Sequence, residues 1–388
     1  MKRNFYYSWV LGILMSLFSV VAVAAEKDQP KSDYPHTIKV GPFKSGHVQG
    51  IAVDREKGFV YYSFTTLLVK TDLEGNIIGS VKGLLGHLGC LDFNPADGRV
   101  YGSLEYKNDA IGKGILSSND KSHLKLANAF YIAIFDVDRI NRENMDAEKD
   151  GVMTSVYLPT VLEDYLAKVE VDGKTVDHRF CCSGIDGVSF GPKFGKTDGR
   201  RYLTVAYGIY GDNKRPDNDY QVLLQYDIRD WKQYEHPLSQ DKMHQHGPKR
   251  PNGKYFAFTG NTSYGVQNLE YDEENKIWLM AVYYGHKPFY PNYGIFAVDA
   301  KAKPVTQPLM GVPYQQEGKI VKLAEMGSRH EATGIYGWKK GIGYTGLESL
   351  GNGLFYIAHD YSENKMQRAE VRLYRFDPSK EKPFTLVE

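Results

Sequence analysis

Four histidines, a few carboxylates and one cysteine pair are the residues of this chain best suited to chemistry. His47 and His87 open two apolar strand-like runs, His330 precedes a third, and His359 ends a fourth. Imidazoles titrate near neutrality, so histidines converging with Tyr264 or Tyr344 supply general acid–base catalysis. On a polyuronate, such a base removes the proton beside the sugar carboxylate and an acid protonates the leaving sugar. Arg329 would pair with that carboxylate. Carboxylates drawn from Glu105, Asp186, Glu270 and Glu348 could instead serve as the acid and base of glycoside hydrolysis. An oxygen-rich set of Gln49, Glu105, Asp186, Gln267 and Asn268 suits Ca²⁺ better than zinc, with Asp186 and Asn268 foremost. Each group also has a plainer reading: histidines tying neighbouring strands, and carboxylates paired inside a sheet stack. The chain has no GxSxG, no Walker loop and no dinucleotide fingerprint in a strand–helix setting.

Self-similarity shows which elements must hold these residues. The segment HVQGIAVDREKGFVYYSFTTLLVKTD at 47–72 reads as three strands joined by short turns and closed by Asp. Four further copies close on Asp138, Asp227, Asp299 and Asp377, and the five first strands repeat an apolar residue at Ile51, Leu91, Val188, Leu269 and Leu347. Segments such as NIIGSVKG at 76–83 add a fourth strand. Repeated four-stranded antiparallel units, apolar on both faces, are expected to form a β-propeller. Five blades are counted. A sixth could hide between blades two and three, but LPTVLEDYLAKV there reads as an amphipathic helix or irregular insertion near 139–170. The acidic run DVDRINRENMDAEKDG at 136–151 fails the EF-hand pattern and reads as a solvated insertion. HTIKV near the start or FTLVE at the end is expected to close the ring.

In a propeller the first strands line a central channel. The loops entering them, and those joining second to third strands, build one face. In four of the five blades the second set is long, which marks that face for binding. His47, His87, Asp186 and His330 are expected to converge there as the catalytic group. Gln49, Glu105, Tyr207, Tyr264, Gln267, Tyr284, His286, Arg329 and His359 are expected to surround a substrate. With 29 tyrosines against 4 tryptophans, the mouth gains side chains with an apolar face and a polar tip, which suits sugars.

Cys181 and Cys182 are adjacent, and Cys90 is the only other cysteine. Three arrangements stand open: a vicinal disulfide, a bridge from Cys90 to one of the pair, or three thiols. Neighbouring Cα atoms lie ~3.8 Å apart, below the usual disulfide span, so a vicinal bond would be strained.

The opening MKRNFYYSWVLGILMSLFSVVAVAAEK has a basic start, an apolar run and small residues at an exit, the pattern of a cleaved signal peptide over 1–25. The remainder, 26–388, has no linker and reads as one domain in a secreted or periplasmic protein, with no later apolar segment long enough to span a bilayer. Without Lys2 and Arg3, 46 basic residues face 47 acidic ones, so there is no long-range pull on nucleic acid.

The strand patterns HVQGIAVD, GIDGVSF and GVQNLEYD resemble the NHL/SMP-30-like propellers, which include sugar lactonases. The resemblance implies a central metal near Gln49, Asp186 and Gln267 or Asn268. Gln49 stands where that family has an acid, and five blades replace six. The function expected is a carbohydrate-active enzyme, hydrolase or lyase. The alternatives are a non-catalytic glycan-binding propeller and a metal-dependent lactonase or esterase.

Overall fold

The repeats fold as five radially arranged antiparallel sheets. The computed structural model describes Met1 and residues 34–388; the expected leader lies outside the described residues. Blade one runs Gly50–Asp54, Phe59–Ser63, Leu68–Asp72 and Ile77–Lys82. Blade two runs His87–Asn94, Arg99–Tyr106, Ala129–Phe135 and Met153–Tyr157. Blade three runs Cys182–Pro192, Arg201–Ile209, Tyr220–Tyr226 and Gly253–Phe258. Blade four has Ser263–Asp272, Ile277–Tyr283 and Ile295–Asp299. Its fourth strand is reduced to isolated bridges from Val298 to Leu323 and from Ile295 to Trp338. Blade five has Leu347–Gly351, Leu354–Glu363 and Met366–Phe376. Both candidate closing segments are used: Thr37–Phe43 and Phe384–Leu386 pair with different stretches of Met366–Phe376.

Local chemistry explains the turns. Asp54, Asn94 and Asp272 end inner strands, and each accepts the N–H two residues on through its side chain, an Asx-turn that starts the hairpin. Of the repeated closing aspartates, Asp72, Asp227, Asp299 and Asp377 do the same. Asp138 instead binds Lys57 Nζ at 2.6 Å.

The inner strands share one packing device. Ile51, Leu91, Val188, Leu269 and Leu347 are all at most 2% exposed. The residue before each is Gly50, Cys90, Gly187, Asn268 or Gly346, mostly small, because neighbouring inner strands nearly touch there. A Cβ on Gly50 would lie 2.7 Å from Cys90 Cα, and Gly346 also sits at φ +153° with Ala358 Cβ 2.7 Å from its missing side chain. Blades two, three and four each carry a β-bulge at this level, between Leu88 and Leu91, Ile185 and Val188, and Val266 and Asn268. A bulge re-aims the side chains beside it. Here it redirects the backbone around Asp186 and Gln267.

The insertion between blades two and three contains the expected helix, Pro159–Leu166, together with the fourth strand of blade two and a hairpin of Lys168–Val171 with Lys174–Asp177, and the blade count is five, as expected. Two expectations need correction. The acidic run is not a solvated insertion. Met145–Asp146 pairs with Val81–Lys82 at the edge of blade one, and Ile140 and Ala147 are buried. A helix over Ala110–Ser118, N-capped by Asp109, occupies what read as a plain loop. Its Gly112 and Gly114 are weak helix formers, and only Ile115 and Leu116 are buried.

Cys90, Cys181 and Cys182 are free thiols, all buried. The pair sits where the chain turns into blade three, with Phe180 and Cys181 both at φ +55°. Burial pushes the Cys90 and Cys181 thiols up to about 12. All three thiols are therefore expected to react with a thiol reagent only after unfolding, and mass spectrometry should show no two-dalton loss in peptide 179–190. Gly50→Ala should destabilise the fold by ~1–3 kcal/mol through overpacking between blades one and two, read as a lower denaturation midpoint.

Candidate functional site

The upper face, as the entry loops define it, brings His87, Glu105 and Asp186 together. One ligand-type atom from each lies within 4.8 Å of the others. His87 opens the inner strand of blade two, and Glu105 is its directly paired neighbour on the second strand. Asp186 arrives from blade three on the bulge. Its Oδ2 accepts from Gln267 Nε2 at 3.1 Å, and the same amide nitrogen donates to Tyr264 O. Asp186 Oδ1 lies 3.8 Å from His87 Nδ1, too far for a hydrogen bond. His87 Nδ1 is buried and has no partner.

Lys107, two residues after Glu105, completes the cluster and was missed by the sequence reading. Its ammonium touches Glu105, donates to Ser183 O at 2.7 Å and lies 3.6 Å from Asp109. Glu105 also accepts the Ile185 N–H at 2.9 Å. The alternation in EYKND, with Glu105, Lys107 and Asp109 two apart, was the available signal, since alternate residues of a strand share a face.

Electrostatics separates the groups. Burial, with the Lys107 cation and His47 nearby, lowers His87 to about 3 and keeps it neutral. Burial, reinforced by the Glu105 charge, raises Asp186 well above the ordinary carboxylate range. Glu105 is raised by burial, against the pull of Lys107. His47, half-buried, is lowered by burial and partly restored by Asp360.

Other predicted residues fall into place around this group or leave it. Gln49 and Asn268 lie deeper in the channel; Asn268 Nδ2 donates to Gln49 O and Tyr344 O, while its Oδ1 has no partner. Tyr264 and Tyr284 are exposed on the upper face, and Tyr284 Oη accepts the Gly341 N–H. His286 is exposed, and only its carbonyl is engaged, by Asn213. His359 binds Tyr374 Oη at 3.0 Å. Two assignments are corrected. His330 and Arg329 sit on a hairpin, Ser328–Arg329 with Tyr336–Gly337, that belongs to the outer edge of blade four, with the inner strands between it and the channel. There His330 binds Thr333 and Arg329 pairs with Glu331. Tyr207 points into the sheet stack, where it donates to Asp164 at 2.8 Å.

The donor set does not fit the oxygen-only calcium cage that the family resemblance implied. The Lys107 ammonium already stands among its carboxylates, and His87 brings a nitrogen donor beside them.

Grooves flank the group. One of about 460 Å³ lies over the short loop of blade one, between Lys44, Thr65, Thr66, Ser118, Asn119 and Lys365. Another of about 330 Å³ lies at blade five, with Lys340, Tyr344, His359, Asp360, Arg372 and Lys382. Lys44, Lys340, Lys365 and Lys382 form no ion pair among the described residues.

Fold and geometry define the chain as a five-bladed β-propeller with a buried His–carboxylate–Lys cluster at one mouth. No protein-family model matches the sequence, and no curated protein matches it. Among solved structures, one similar chain is a protein of unknown function from Bacteroides caccae. It is 10% identical, with a TM-score of 0.31, over 71% of this chain and 85% of that one. No helix among the described residues is long and apolar enough to cross a membrane.

Because His87 is held neutral when folded but takes a proton near 6.5 when unfolded, it favours the unfolded state as pH falls from about 6.5 to about 3. Above that window it contributes no pH dependence. His87→Gln should remove this part of the acid sensitivity, about 4 kcal/mol by pH 3, read from denaturation midpoints across that range.

Proposed function

We propose that the chain is a secreted or periplasmic carbohydrate-active enzyme whose substrate lies across the upper face, with His87 and Asp186 as its acid–base pair. One observation carries the reading: a neutral, buried imidazole nitrogen without a partner faces, at 3.8 Å, a carboxyl group whose surroundings favour its protonated form. Opposed shifts of this kind equip one group as base and its neighbour as acid at the same pH. His87 Nδ1 is the acceptor and Asp186 the donor, while Gln267 orients Asp186 and Lys107 holds Glu105.

The unpaired lysines of the flanking grooves, with the hydroxyl and amide groups between them, favour a glycan bearing carboxylates or sulfates. They take the role first given to Arg329. The exposed Tyr264 and Tyr284 offer ring faces to sugars. The lactonase reading loses support, because its metal would compete with Lys107.

The test is incubation with polygalacturonate and with chondroitin sulfate. New ultraviolet absorbance marks elimination; reducing ends without it mark hydrolysis; retention with neither marks a glycan-binding propeller. His87→Ala and Asp186→Asn should each lower turnover at least a hundredfold with little change in melting temperature. Full activity in both variants would refute the assignment.

A further inference from the structure

The opposite end of the channel carries a second built feature that the upper-face reading leaves unused. The position after each repeated apolar residue is Ala52, Asp92, Ser189, Glu270 or Glu348, so three of five inner strands place a carboxylate at one level. Asp92, Glu270 and Glu348 are 7%, 8% and 6% exposed, and all three line a cavity of about 550 Å³ that opens between the short hairpins of the lower face. That volume suits a small organic ligand.

Each carboxylate reaches toward the next blade. Asp92 accepts the Phe190 N–H at 2.5 Å, Glu270 accepts the Ser349 N–H at 3.1 Å, and Glu348 is approached by the Val53 N–H. These contacts tie the blades, and they would satisfy a purely structural role if they used up the oxygens. They do not: Glu348 Oε2 is buried without a partner. The nearby cations are also committed or displaced. Arg201 is bound to Glu273 and to Phe190 O. Arg55 acts on Glu348 only through its field.

Further out, Asp54, Glu56, Asp97 and Glu273 stand with Lys57 at the rim. The lining therefore holds seven acidic residues against three basic ones. Phe93 and Tyr271 add aromatic walls, which favour a cation over their faces. Burial raises all three inner carboxyls, Asp92 to about 6, and repulsion from neighbouring carboxylates adds to the rise of Glu270 and Glu348, so a cation entering here would displace protons.

A bare ion fits poorly. The His87 group is the only set of three such side chains within 4.8 Å of one another among the described residues, so these three carboxylates are spread too widely to share one ion. A diammonium ligand divides its N–H···O contacts, each about 2.8 Å long, between two nitrogens, so no single centre has to meet all three carboxylates.

The geometry points to a second binding site at the lower mouth, taking an organic ammonium ligand held by Glu348, Glu270 and Asp92. It is independent of the chemistry proposed for the upper face. Titration calorimetry with putrescine tests it, with butane-1,4-diol as the uncharged isostere and calcium chloride as the bare ion. Putrescine should bind at least tenfold more tightly than the diol, release protons, and bind about tenfold more tightly at pH 7.5 than at pH 5. Glu348→Gln and Glu270→Gln should each weaken it at least tenfold, while His87→Gln leaves it unchanged. If either carboxylate variant fails to fold, proton release and the pH dependence in the wild-type chain read the same claim. Binding of calcium alone, no binding of putrescine, or affinity indifferent to both carboxylate variants would overturn it.

Discussion

Five inner strands cannot converge on an axis unless something small stands where they meet. Gly50, Cys90, Gly187 and Gly346 meet that demand, with Asn268 the one larger exception, its amide bonded to Gln49 O and Tyr344 O. At Gly50 the neighbouring backbone leaves no room for even a methyl group. The bulges of blades two to four sit at the same level. A crowded waist in the middle of the channel separates its two ends, which can therefore differ in chemistry.

The two ends do differ. At the upper mouth, long loops roof the channel and bury a lysine among carboxylates, so charge is balanced inside the protein. At the lower mouth the connections are short hairpins, and Arg201 and Arg55 act on the carboxylates only through their fields. Buried charge without a partner is costly, and the usual response is to retain a proton. Carboxylates at the two ends of the channel thus meet different electrostatic surroundings.

The blade cores were legible in the sequence because each blade repeats the same local demands: an apolar inner position, an Asx residue at the turn, an aspartate at the close. Ile51 and its four counterparts were assigned correctly for that reason. The site was only partly legible. The convergence of His87, Glu105 and Asp186 was legible because strand position alone brings them to one mouth. His330 was misplaced because its hairpin interrupts the outer edge of blade four, and nothing local distinguishes such an excursion from an entry loop. Tyr207 was misplaced because alternation along a strand does not reveal which face is the channel once a bulge intervenes. Lys107 escaped notice because a lysine is expected in solvent, and only the finished packing shows two oxygen acceptors and the Asp109 carboxylate around its ammonium.

The strand Met366–Phe376 holds Thr37–Phe43 on one stretch and Phe384–Leu386 on the next. Both ends of the folded disc are thus fastened to a single rung. Tension applied between them would be carried by blade five, leaving the other four mechanically idle until that strand gives way. The ring has one clasp, and its resistance to being pulled open is a property of those few hydrogen-bonded pairs and not of the blade repeat as a whole.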